Sequence, residues 1–149
     1  MNNNKARFID ILSFLNLMTK AIILDCRLLK EFETKRITNS IHIACHDKIT
    51  KKRLLSNRLS VRDLISCEEI REKLESTNGK CDENKISCYK MCDDDEAILI
   101  VFYDESTNDE FDLNQSPLQI VFDNARSTLA NVNCKILKGK NDLLIQFLS

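Results

Sequence analysis

Apolar positions along the chain change period several times, and each change marks an element. From Phe8 to Met18 the residues Phe8, Ile11, Leu12, Leu15 and Met18 stand three and four apart, which makes one apolar face on a helix and predicts that this face is core. Ala21–Cys26 is a short continuous apolar run, the pattern of a strand buried on both faces, and Ser40–Cys45 is a second short strand. The period is helical from Asp47 to Leu59 and again from Leu64 to Leu74. Ser76–Glu96 is polar, carries Asn78-Gly79, and reads as a surface loop or insertion. Ala97–Tyr103, seven unbroken apolar residues, is the strongest strand and belongs at the sheet centre.

After a polar loop from Asp104 to Ser116, Pro117 opens a helix with Ser116 as its N-cap, running through Leu118, Val121, Phe122, Ala125 and Leu129. Cys134–Leu137 is a last strand, Lys138-Gly139 a turn, and 141–148 a closing helix. Strands alternating with helices predict an α/β domain with a mostly parallel central sheet of about five strands.

The 149 residues suffice for a single domain, and only two Gly and one Pro argue against a turn-rich β sandwich and against a glycine-rich phosphate loop. The formal charge of −1 excludes a nucleic-acid binder relying on bulk positive charge. No run reaches the ~18 apolar residues of a membrane span. The N-terminus reads as an amphipathic helix and not as an export signal, so cytoplasm or nucleus is expected. The seven cysteines are odd in number and irregular in spacing, hence free thiols. Cys26, Cys67 and Cys134, in periodic apolar surroundings, read as small core residues, and His42 as packed or hydrogen-bonded.

Charge is segregated. Residues 35–62 hold eight Lys or Arg against Asp47 alone, residues 63–96 hold eleven acids and five bases, and 104–123 hold six acids and no base. Solvated helix faces account for most such runs. The sharper reading is a surface built to meet an acidic partner. On a helix over 47–59, Lys48, Lys51, Lys52, Leu55 and Leu59 share a stripe, with Lys51-Lys52-Arg53 beside Leu54 and Leu55.

Ile23-Leu24-Asp25-Cys26-Arg27, then Glu31-Phe32, then Arg36–Ile43, resembles the opening of a rhodanese-like domain, with Lys35-Arg36 in place of the common Gly-His pair. Residues 47–67 resemble the kinase-interaction segment of MAP kinase phosphatases, the subgroup acting on stress-activated kinases being closest. Val101–Asn108, Ser116–Val121 and Ile136–Gly139 continue the resemblance in order, whereas 76–96 looks longer than in that family.

The resemblance implies a single MAP-kinase-binding domain over 1–149, with a kinase-interaction segment at 47–66 and a polar insertion at 76–96. It implies that Lys51, Lys52 and Arg53 act as charge contacts and Leu54 and Leu55 as apolar contacts, supported by Lys48, Arg58 and Arg62. The expected partner is the acidic docking groove of a MAP kinase. A dual-specificity phosphatase domain, with its H-C-x5-R loop, would lie downstream of residue 149. Where active rhodaneses carry the sulfur-accepting cysteine this chain has Asp104, so Asp104-Glu105-Ser106-Thr107 is expected to be a vestigial active-site loop that needs no cofactor. Two alternatives are a sulfurtransferase of the same fold, which Asp104 disfavours, and a cysteine-based zinc or redox protein. The latter would use Cys81, Cys88 and Cys92, whose spacing matches no common zinc site.

Overall fold

A computed structural model describes residues 8–76, 97–104, 106–107, 116–140 and 142–148. Their centre is a five-stranded, all-parallel sheet. The strands are β1 (Phe8–Ile9), β2 (Ile22–Asp25), β3 (Ile41–His42), β5 (Ile98–Tyr103) and β8 (Val132–Leu137), in the order β1-β8-β5-β2-β3. Two short antiparallel pairs stand apart from it. One joins β4 (Glu75–Ser76) to β7 (Leu129–Ala130), the other β6 (Ser106–Thr107) to β9 (Gly139–Lys140).

Period-2 alternation sends each strand's side chains into two cores. Leu24, Ile100, Phe102, Cys134 and Ile136 enter one, and Ile23, Val101, Tyr103 and Leu137 the other. The first core is covered by α3 (Lys48–Leu55), α4 (Val61–Leu64), α5 (Glu68–Lys73) and α6 (Pro117–Thr128), through Leu54, Val61, Leu74, Leu118, Val121, Phe122 and Ala125 among others. The second is covered by Phe14 of α1 (Ile11–Leu17) and by Leu144 and Ile145 of α7 (Asp142–Leu148). A short helix, α2 (Leu29–Thr34), follows β2 and buries no residue fully. The architecture is α/β with helices on both faces, as expected of a rhodanese-like domain.

Several elements differ from the reading of the sequence. Phe8 and Ile9 form an edge strand paired with Ile136 and Leu137, and the first helix starts only after Asp10, whose side chain accepts the Ser13 N–H at 2.8 Å. That helix is not a core helix along a whole face. Phe14 alone is buried, while Ile11, Leu12, Leu15 and Leu17 are exposed. The second strand of the sequence reading shrinks to Ile41–His42. Of the helix expected over 64–74 only α5 forms, because the backbone is extended at Ile65 and Cys67, and α4 is a separate turn that ends at Leu64. Cys67 at that break is exposed, whereas Cys26 and Cys134 lie in the core. Gly139 pairs with Thr107 in β9 instead of turning. Ser116 caps α6 as expected, accepting the Gln119 N–H at 3.1 Å, with Pro117 in the first turn.

Candidate functional site

In an open parallel sheet, ligands meet the carboxyl ends of the strands. Here that rim is formed by Asp25-Cys26-Arg27 after β2, His42 at the end of β3 and Tyr103-Asp104 after β5. It is sealed by its own polar groups. Arg27 donates from Nη2 to Asp25 Oδ2 at 2.8 Å and from Nε to Oδ1 at 3.1 Å, while its backbone N–H donates to Oδ1 at 2.9 Å. Tyr103 Oη donates to Asp25 Oδ2 at 2.6 Å and accepts the Ile37 N–H at 3.2 Å. Arg27 Nη2 also donates to the Lys35 carbonyl, which ties the chain after α2 to the strand end. Asp25, Arg27 and Tyr103 are all buried. Burial and the Asp25 carboxylate push the Tyr103 hydroxyl well above the usual phenol range, so it stays a donor.

Thiol chemistry at this rim is suppressed by the same packing. Cys26 and Cys45 are buried side by side, and the contact with Cys45, burial and the nearby Asp104 and Asp25 charges hold Cys26 protonated far above its ordinary range. A thiol so held is a poor nucleophile. His42 Nε2 lies 2.9 Å from the Arg27 carbonyl and His46 Nε2 2.8 Å from the Cys26 carbonyl, so both rings are tied to the backbone of the rim. Asp104 is half-buried at the end of β5, and Ser106 and Thr107 continue into β6. Glu105 lies outside the described residues, as do Cys81, Cys88 and Cys92. Among the described residues no group of three His, Cys, Asp or Glu could hold a metal ion.

The basic segment has a different construction. Asp47 caps α3 by accepting the Thr50 N–H at 2.9 Å, a bond that lowers the Asp47 pKa. Lys52 and Arg53 occupy its last turn, where the helix dipole favours cations. The helix stops at Leu55, four residues before the expected end, because Asn57 adopts a left-handed conformation with φ 60°. The Arg58 N–H then donates to the Arg53 carbonyl at 2.9 Å and the Asn57 N–H to that of Leu54 at 3.1 Å, a Schellman closure with Asn where Gly is usual. Leu59 is therefore not on the helical stripe. Ser56-Asn57 carries the stop signal, with asparagine in the role that glycine usually fills.

Leu54 faces inward and is 1% exposed, so it anchors the helix to the core and cannot be an apolar contact for a partner. Leu55, at 63%, is exposed, and so is Ile49, at 67%, a residue that the sequence reading did not single out. Ile49 stands three residues before Lys52, so the two share a face by helical spacing, and the polar Thr50 and Lys51 beside Ile49 masked it in the sequence. Lys48, Lys52, Arg53 and Arg58 are exposed and Lys51 is half-exposed. Among the described residues the one salt bridge within 4 Å is Arg27–Asp25, so none of the five is in an ion pair there.

Arg62 is not part of this surface. Its Nε donates to the carbonyls of Arg71 at 2.8 Å and Leu74 at 2.6 Å, which fastens α5 to α4 and makes Arg62 a structural residue. The loop that closes α3 is held by buried Asn124 of α6. Its Nδ2 donates to the carbonyls of Leu54 at 2.9 Å and Leu59 at 2.7 Å, and its Oδ1 accepts the Val61 N–H at 2.8 Å. The helix thus presents Lys48, Ile49, Lys52, Arg53 and Leu55 outward from a rigid mount.

The geometry defines a parallel α/β domain with a polar-sealed strand rim and an outward-facing cationic helix. No protein-family model matches the chain. Among the described residues no helix is long and apolar enough to cross a membrane.

Proposed function

We propose that the chain is a non-catalytic docking module that grips a MAP kinase, of the stress-activated type, through α3. It would bring a dual-specificity phosphatase to that kinase for dephosphorylation of the activation loop. The observation that carries this reading is the outward face of α3, where exposed Lys48, Lys52 and Arg53 alternate with exposed Ile49 and Leu55. That composition suits a groove with acidic and apolar parts. Cations steer encounter and fix register, and apolar side chains slow dissociation. A single exposed ion pair contributes only about 0.2–1 kcal/mol, so the cluster acts as a set and its binding weakens with salt. Tethering raises the phosphatase's effective concentration at the kinase without new catalytic contacts. The buried Cys26 thiol, held protonated at the rim, and the carboxylate of Asp104 support a module that does no sulfur chemistry of its own. Free thiols suit the reducing cytoplasm or nucleus.

The test is calorimetric titration of an unphosphorylated stress-activated MAP kinase with the native chain and with the Lys52→Glu, Arg53→Glu double variant. A loss of roughly tenfold, about 1.4 kcal/mol, with an unchanged thermal transition is expected. Equal affinity in the double variant overturns the site, and turnover of thiosulfate with cyanide by the native chain overturns the non-catalytic reading.

A further inference from the structure

Two thiols meet where β2 ends. Cys26 follows β2 directly, and Cys45 lies just past the two-residue edge strand β3. Both are buried in the same core, and the Cys45 Sγ–H donates to the Cys26 carbonyl at 3.8 Å, so the sulfur of one residue already sits against the other. The two side chains also interact through their sulfurs, the strongest of the influences that keep Cys26 protonated. Their cover is thin. Ala44 and His46, on either side of Cys45, are exposed, and a short edge strand opens locally more readily than the strands at the sheet centre. The other described cysteines are elsewhere: Cys134 is on β8, two strands away from β2, and Cys67 is exposed at the start of α5.

We propose that Cys26 and Cys45 form a reversible dithiol–disulfide pair, oxidised by a small peroxide, that fastens the segment opening α3 to the end of β2. Peroxide is small and uncharged, so a brief opening at the edge strand admits it. Cys45, on losing its proton, attacks the O–O bond; a sulfenic acid forms on Cys45, and the departing hydroxide takes up that proton as water. The Cys26 sulfur then attacks the Cys45 sulfur, the S–O bond breaks, and the hydroxide leaves as water with the Cys26 proton. Two thiols give up two hydrogens and two electrons, and one peroxide becomes two waters. A thiol too protonated to attack an outside substrate serves in the second step, because its target is held beside it. The link joins positions 19 apart and encloses α2 and β3, which restricts the unfolded chain. Cys45 is followed at once by His46 and by Asp47, the cap of α3, so the disulfide lies at the base of that helix. The pair is independent of what α3 binds.

The experiment treats the folded native chain with hydrogen peroxide, alkylates the remaining thiols under denaturing conditions, and maps tryptic peptides by mass without reduction. Peptide 21–27, which carries Cys26, should be recovered joined to peptide 37–48, which carries Cys45, while Cys134 is recovered alkylated. Oxidation should raise the thermal midpoint by about 5 °C, and dithiothreitol should reverse the rise. Cys45→Ser keeps a hydroxyl donor for the Cys26 carbonyl and removes the partner sulfur, so its midpoint should show no such rise with peroxide. Recovery of both Cys26 and Cys45 as alkylated thiols, after a treatment that oxidises the exposed Cys67, overturns the proposal. So does a link that forms only in urea, pairing of Cys26 with another cysteine, or a linked chain that melts no higher than the reduced one.

Discussion

Arg27 directs its guanidinium at Asp25 and the Lys35 carbonyl, whereas Lys52 and Arg53 on α3 point outward, with no carboxylate within 4 Å among the described residues. Both regions carry cations near the same domain, yet they answer to different physics. A buried charge is tolerated only if partners replace its water, so the rim after β2 is closed by mutual hydrogen bonds and has little left to offer a ligand. An exposed charge needs no partner for folding, so the sequence of α3 is free to be set by something outside the chain. The comparison separates residues that hold the fold from residues that the fold holds up.

Removing a rim partner should have the largest effect. Asp25→Ala leaves Arg27 buried without its carboxylate and Tyr103 with only the longer bond to Ser40 Oγ, and should cost about 3–5 kcal/mol in urea unfolding. A loss under about 1 kcal/mol would mean that the rim is open to water, and the contrast with α3 would dissolve. Next comes the mount of α3. Leu54→Ala removes the buried side chain beneath α3 and should cost about 2–5 kcal/mol, so its burial, and not its exposure, governs the outcome. Asn124→Ala should cost about 2 kcal/mol and speed amide exchange at Leu54–Val61, since the carbonyls of Leu54 and Leu59 and the Val61 N–H lose their partner.

Alkaline titration should have a smaller effect. Burial pushes the Cys134 thiol up to about 12, against a slight opposing pull from Arg126. The folded state therefore keeps a proton that the unfolded chain loses, and stability contributed by this group is whole below the ordinary thiol range and falls as pH rises toward 12. Tyr103 acts with the same sign. Cys134→Ala should flatten the decline of unfolding free energy above about pH 9, and an unchanged slope would sink the assignment. The smallest stability change belongs to the outward face. Ile49→Ser should leave unfolding free energy within about 0.5 kcal/mol of the native chain while kinase affinity drops severalfold. Altered stability with unaltered affinity would reverse the roles drawn for the two regions.

Periodicity and composition alone determined that the chain is α/β, that Ala97–Tyr103 is central, that Ser116-Pro117 opens α6, and that the cations concentrate after residue 47. These are local or near-local properties, written in the spacing of side chains and in capping chemistry. Only the tertiary structure decided that Leu54 is an anchor while Ile49 and Leu55 are outward, because a helix with few apolar residues does not announce which of them meets the core. The same holds for Arg62, whose partners Arg71 and Leu74 are set by how α5 folds back, and for α1, where one of several apolar residues found room inside. Asn39, Asn57 and Asn131 take the left-handed turns in a chain with two glycines, so the helix stop at Ser56 was legible only to a reading that gave asparagine glycine's role. The two-residue edge strand Phe8–Ile9 left no period to read, since its existence rests on hydrogen bonds to β8 and not on any pattern of its own.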